Sequence, residues 1–151
     1  MRFAVGHTSE RLLAKSWDGG AAPTIWEHTA AVMDAVEELF GPPQCPTRLG
    51  LGWLKFFKLA DFAAFFRATL AAAALHDWGK ANDGFQQAVR RKGEQNIRHE
   101  HLSGLMMALD DVCRWLAARP DIDWDIVLAA VISHHLHVTH ETFAESPGGP
   151  A

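Results

Sequence analysis

Cysteine is scarce in this 151-residue chain: Cys45 and Cys113 are the only two, and no CxxC pair occurs. A disulfide framework and a zinc-finger thiolate site are thereby excluded. The two are expected as buried small apolar side chains, a usage that suits a reducing cytoplasm. Cationic excess is missing too. Fourteen Lys+Arg stand against 18 Asp+Glu, a formal net charge of −4, so the surface as a whole does not advertise a nucleic-acid binder and any phosphate contact must be local. The N-terminal MRFAVGHTSER lacks the apolar segment of a signal peptide, and the longest apolar stretch, Leu59 to Leu75, carries Asp61 and Arg67. Neither a secretory signal nor a membrane span is expected. Repeats and low-complexity tracts are absent, and alternating strand patterns are rare beside the abundant helix formers, so the chain reads as one all-α domain.

The punctuation of that helical chain is readable. Thr24-Ile25-Trp26-Glu27 has the capping-box form and predicts a helix from about Ile25 toward Phe40, stopped by Gly41-Pro42-Pro43. After a Pro- and Gly-containing loop, apolar helical sequence from Leu51 through Leu75, with a break near Leu59 to Asp61, is expected to form the buried centre. The Phe56, Phe57, Phe62, Phe65 and Phe66 group is assigned to core packing rather than base stacking. A short helical piece, Phe85 to Arg91, lies inside a basic segment from Lys80 to Arg98 that holds five cations and two acids. Helices from about His99 to Ala118 and from Trp124, with Asp123 as its N-cap, complete the reading. Residues 1–144 are taken as the domain and 145–151, with turn composition, as a flexible tail or linker.

What is abundant is histidine, with nine residues. The strongest local signal is Leu75-His76-Asp77-Trp78-Gly79-Lys80 at the end of the Ala-rich helix, with Gly79 expected to let the backbone turn away. Adjacent helical residues lie about 100° apart, so His76 and Asp77 can lean toward one ion or two neighbouring ones. Alone, that dipeptide is better explained as a buried, hydrogen-bonded pair. His28, His99 and the pair His134-His135 change the balance, because they add imidazoles from separate helices, the way a bundle builds an internal metal site. Six nitrogen and oxygen ligands without thiolate suit manganese, iron, cobalt or nickel, or a two-metal phosphoesterase centre, better than structural zinc. His7, His101, His137 and His140 are weighed as surface residues, with His101 the nearest rival to His99.

Taken together, Leu12-Leu13-Ala14-Lys15-Ser16, Trp26-Glu27-His28-Thr29, Leu75-His76-Asp77-Trp78-Gly79-Lys80, Phe85-Gln86, Arg98-His99-Glu100 with Ser103-Gly104, and Ser133-His134-His135 resemble the HD nuclease domain of the CRISPR-associated type I helicase-nuclease. The resemblance covers roughly residues 12 to 135. It implies an HD-domain helical bundle with the metal site between helices, and a nuclease acting on single-stranded DNA exposed by a surveillance complex and a helicase, fused or separate. Carried over by position, His28, His76, Asp77, His99, His134 and His135 are the implied ligands of one or two transition-metal ions, with magnesium or zinc as further candidates. Asp77 is the implied bridging ligand, and Lys80 matches the lysine near the phosphate. The family pattern also has an Asp on a later helix, for which the 16 residues after His135 offer no equivalent, so a domain truncated on its C-terminal side is the expectation.

The hydrolysis so implied needs no covalent nucleophile: metal-activated water attacks, and Lys80 stabilises charge on the phosphoryl oxygens. Arg90, Arg91, Lys92 and Arg98 are candidates to guide backbone phosphates. Two other functions fit the same residues. One is an HD-type phosphohydrolase acting on nucleotides or small phosphoesters, separated from the nuclease by substrate length. The other is a non-catalytic HD docking module, which predicts no metal-dependent turnover.

Overall fold

The computed structural model describes residues 11–16 and 21–135. Among the described residues there are seven α-helices and no strand: α1 (Ile25–Phe40), α2 (Arg48–Phe56), α3 (Phe62–Leu75), α4 (Asp83–Val89), α5 (His99–Met107), α6 (Asp110–Ala117) and α7 (Trp124–Ser133), with one 3₁₀ turn, Trp78–Lys80, after α3. The all-α reading holds. No helix of the described residues is long and apolar enough to cross a membrane. The tail over 145–151, together with His7, His137 and His140, lies outside the described residues.

Most helix starts follow side-chain caps, those of α5 and α6 excepted. Thr24 accepts from the Glu27 amide while Glu27 accepts from the Thr24 amide, a complete capping box, and Asp61, Asn82 and Asp123 accept from the third residue of α3, α4 and α7 in the same manner. Each such cap contributes about 1 kcal/mol. α3 is the central element, packed on α1 and α7. Its apolar sequence serves two faces: Phe66 and Ala73 join Val36 of α1, whereas Ala68 and Leu75 join Met107, Leu116, Val127 and Val131. Residues 66 and 68 lie about 200° apart on a helix, so a helix buried on two sides must be apolar nearly all round. Val127 and Val131 are fully buried, and each contributes on the order of 1.5–3 kcal/mol by burial.

Several expectations need correction. The helix predicted from His99 to Ala118 is two helices, because Leu109 is extended (φ −68°, ψ 138°) and Asp110 and Asp111 collect at a new positive helix start. This break lets Met107 and Leu116 face the same core. The apolar stretch from Leu51 is not uniformly central: α2 lies at the edge against α1 and α3, leaving Phe56 and Phe57 78% and 52% exposed, so of the five phenylalanines assigned to core packing only Phe66 is buried. Both cysteines are exposed. Cys113 lies outward because Val112 and Leu116, four residues apart, take the inward face of α6.

Candidate metal centre

The centre is built where α3 ends. His76 is still helical and its amide bonds Ala72, whereas Asp77 (φ −107°, ψ 10°) leaves the helix and starts the 3₁₀ turn. That turn lies directly on α5. Ser103, fully buried, accepts from the Gly79 amide at 2.8 Å and donates to the His76 carbonyl at 2.8 Å. The role of Gly79 therefore differs from the one expected. Its backbone is not in the left-handed region; a Cβ there would stand 2.0 Å from the His99 carbonyl oxygen. Glycine is required for close approach, and that approach brings α5 and His99 to Asp77.

The Asp77 carboxylate is 1% exposed, with the Lys80 ammonium 2.6 Å from Oδ2 and no hydrogen-bond donor assigned to the buried Oδ1. Nitrogens surround it nonetheless. His28 Nε2 and His76 Nε2 each lie 3.2 Å from Oδ2, while His99 Nε2 and His134 Nε2 lie 3.3 and 3.8 Å from Oδ1. His135 Nε2 is 3.0 Å from His99 Nε2. Two groups with cation-binding spacing result, His28–His76–Asp77 and Asp77–His99–His134–His135, and Asp77 belongs to both. All six residues singled out from the sequence thus come together. His101 is exposed and lies in neither group, so of the HEH pair it is His99 that faces inward.

Backbone carbonyls set two of the rings. His76 Nδ1 lies 2.7 Å from the Ala73 carbonyl and His134 Nδ1 lies 2.6 Å from that of Val131, each three residues back. A carbonyl only accepts, so both Nδ1 atoms carry the proton and both Nε2 atoms point a lone pair at the carboxylate. Lone pairs facing a buried carboxylate at 3.2–3.8 Å repel unless positive charge enters between them, and the Lys80 ammonium approaches only Oδ2. This donor set, five imidazoles and one carboxylate with no thiolate, fits a divalent transition ion.

Burial works to raise the Asp77 carboxyl, but donation from the His76 and His99 rings when they carry a proton on Nε2, and from the Lys80 ammonium, outweighs it and holds the carboxyl well below the usual carboxylate range; with neutral rings protonated at Nδ1, a cation would take over that role. Burial lowers His28, His134 and His135, in each case against some attraction from Asp77. These three rings are therefore neutral at neutral pH and able to offer a nitrogen to a cation. Because the folded values lie below the unfolded one of about 6.5, the unfolded chain binds more protons in that interval, and stability contributed by these rings is lost on acidification below about pH 6.5. Ion affinity is expected to follow the same sign: level from pH 8 to about 6.5 and falling below it, as protons compete for the nitrogens. Titrating manganese or cobalt into the chain at pH 8 and pH 5 checks this, and equal affinities at both would contradict a histidine-built site.

The basic segment does not form one patch. Lys80 is buried with Nζ 2.6 Å from Asp77 Oδ2 and 5.5 Å from the Phe85 ring centroid. Arg90 bonds the Gln86 side chain at 2.7 Å and the Arg11 carbonyl at 2.8 Å, and Arg98 pairs with Glu100. Lys92 and Arg91 are exposed. Sequence reasoning missed the roles of Ser103, Gln86 and Glu100, although all three stand in the quoted motifs. The Gln86 side chain accepts from the Leu13 amide and donates to the Leu13 and Lys80 carbonyls, all at 2.8–2.9 Å, clamping the segment around Leu13 to the turn that carries Asp77.

Comparison with known proteins agrees with this geometry. The sequence family described as "Cas3, HD domain" matches residues 13–148. A Myxococcus xanthus (strain DK1622) protein named "Putative CRISPR-associated nuclease/helicase Cas3" is 34% identical over 148 residues, an alignment that covers 93% of this chain and 19% of that protein. The chain thus spans about a fifth of that relative's length. No solved structure matches. A match over nearly the whole chain, joined to a buried histidine–aspartate centre in an all-α fold, places the chain in the Cas3 HD-domain family, a CRISPR-associated family of HD nucleases.

Proposed function

We propose that this chain is the nuclease part of a CRISPR helicase-nuclease and hydrolyses phosphodiester bonds of single-stranded DNA. The observation that carries this reading is the buried Asp77 carboxylate, whose two oxygens face two separate histidine groups. His28, His76, Asp77, His99, His134 and His135 would hold one or two divalent ions, of manganese, iron, cobalt or nickel, with magnesium and zinc as further candidates. Such an ion supplies positive charge that acidifies water and polarises a phosphoryl oxygen. Asp77 joins the two groups and fixes their spacing. Lys80, held beside Asp77 by the 3₁₀ turn, stabilises negative charge on the phosphoryl oxygens. The His28 side chain is 38% exposed, the most open of those facing Asp77, so the scissile phosphate reaches the centre from the α1 side. Arg91 and Lys92 would guide the DNA backbone toward it.

In this reading residues 1–144 form the nuclease domain and 145–151 a tail. The helicase belongs to the same longer protein or to a partner, a surveillance complex in the cytoplasm presents the strand, and a further aspartate ligand lies downstream. The test is cleavage of end-labelled single-stranded DNA with added manganese, cobalt or nickel, against a chelator control. Metal-dependent shortening of oligomers well beyond a dinucleotide is expected. Hydrolysis confined to mononucleotides or small phosphomonoesters would overturn the nuclease in favour of a small-molecule phosphohydrolase. Absence of turnover on both, in a chain extended past Ala151 as well, would overturn the enzymic reading.

A further inference from the structure

We infer that Glu100, braced by Arg98, is a positioning residue that holds the His99 ring with Nδ1 protonated and Nε2 turned to the ion, and that it replaces a backbone device His99 cannot use. The inference rests on the reading of His99 as a ligand. His76 and His134 are set by carbonyls three residues back, Ala73 and Val131. Those carbonyls belong to the last turns of α3 and α7, where carbonyls lack helical partners. His99 has no such turn behind it. It is the first residue of α5, and Arg98 before it is extended (φ −63°, ψ 137°). A side chain must therefore supply the acceptor.

Glu100 is placed to do so. Its carboxylate is 3% exposed, and Oε2 lies 3.6 Å from His99 Nδ1. That separation is longer than a hydrogen bond, yet a carboxylate this buried and this near favours the proton on Nδ1 and leaves Nε2 as the donor atom. Nε2 is the atom that lies 3.3 Å from Asp77 and 3.0 Å from His135. A glutamate in the first turn of a helix is favoured by the helix dipole alone. The dipole, however, would be served equally by an exposed carboxylate and does not require burial against His99. Arg98 completes the brace: Nε pairs with Glu100 Oε1, and Nη2 donates to the His135 carbonyl at 3.4 Å. One arginine thereby joins the start of α5 to the end of α7, the two places that deliver His99 and His135.

The test is titration of cobalt(II) into the metal-free chain, native and as His99→Ala, Glu100→Ala and Glu100→Gln. The His99 tautomer is read in parallel from long-range ¹⁵N–¹H correlations of the metal-free protein. His99→Ala is expected to lose a component of the binding. Glu100→Ala should weaken that same component by about 10–100-fold. Glu100→Gln keeps an acceptor and should weaken it less; it also serves where the alanine variant fails to fold. In the native protein His99 should be protonated at Nδ1, and Glu100→Ala should convert it to a mixture while His76 and His134 stay unchanged. Native-like cobalt binding by Glu100→Ala overturns the inference alone. So does an affinity loss equal in both Glu100 variants with the His99 tautomer unmoved, since that marks only a loosened fold. Absence of cobalt binding by the native chain overturns the reading of the centre, and the inference with it.

Discussion

Asp77→Ala is expected to strip ions from both histidine groups at once and to lower cleavage of single-stranded DNA by roughly 10²–10³-fold or more, the scale seen when one preorganised charge-stabilising group is removed from an active site. The argument is one of position. Asp77 is shared by the His28–His76 group and the His99–His134–His135 group, whereas each histidine belongs to one of them. His28→Ala should therefore leave the second group able to bind, and Asp77→Ala should not. Metal content per chain after dialysis against manganese or cobalt separates the two variants, and native content in Asp77→Ala would end the proposal of a shared ligand.

A stability effect accompanies the catalytic one. Asp77 and Lys80 are both buried, with Nζ 2.6 Å from the carboxylate, so removing the acid alone leaves an uncompensated buried ammonium. Breaking such a pair from one side costs about 3–5 kcal/mol. The double variant Asp77→Ala/Lys80→Ala removes both charges and should recover much of that loss in urea unfolding while remaining inactive. This recovery would show that activity is lost through chemistry and not through unfolding.

Local signals in the sequence were sufficient for the starts of α1 and α7 and for the identity of the clustered residues. Thr24, Asp123 and the Gly41-Pro42-Pro43 stop act within a turn of the chain, so their effects can be read without knowing the fold. The six ligand candidates were legible because imidazole and carboxylate side chains of that number on separate helices have few other uses. Distances between helices were not legible. Whether Phe57 is covered, whether Leu109 breaks a helix, and whether Cys113 faces in or out depend on which neighbour arrives, and the sequence of α6 alone does not contain that information. The same holds for His99 against His101. Two residues apart on one helix they face different ways, and only the contact of α5 with the 3₁₀ turn decides which one meets Asp77. The roles of Ser103 and Gln86 were hidden for a related reason: the bonds from Ser103 to Gly79 and from Gln86 to Leu13 span 24 and 73 residues.

Gly79→Ala is expected to be the most damaging single methyl group that can be added near the centre. The new Cβ would stand 2.0 Å from the His99 carbonyl oxygen, 2.7 Å from the Ser103 nitrogen and 2.8 Å from Leu102 Cβ. Two of those three atoms are backbone of α5 and cannot swing aside as a side-chain tip would. The helix must instead move off the turn, which adds overpacking strain of about 1–3 kcal/mol. Moving it also breaks the bonds that Ser103 makes to the Gly79 amide and the His76 carbonyl, with a further cost of about 1–3 kcal/mol for buried groups left unmatched. The sum is a large share of the roughly 5–15 kcal/mol by which a domain of this size is stable. Ser103→Ala isolates the second contribution, because it deletes the hydroxyl without introducing a clash; its urea midpoint should fall between native and Gly79→Ala. The damage to the centre should also be uneven. His99 moves with α5 while Asp77 stays with the turn, so the 3.3 Å contact between them opens first. His28 and His76, carried by α1 and α3, are not displaced by that movement. Gly79→Ala should accordingly lose the ion held by the His99 group while the His28–His76 group still binds, and a variant that is as stable as native and binds ions natively would show that α5 does not pack on this turn as closely as the 2.0 Å approach requires.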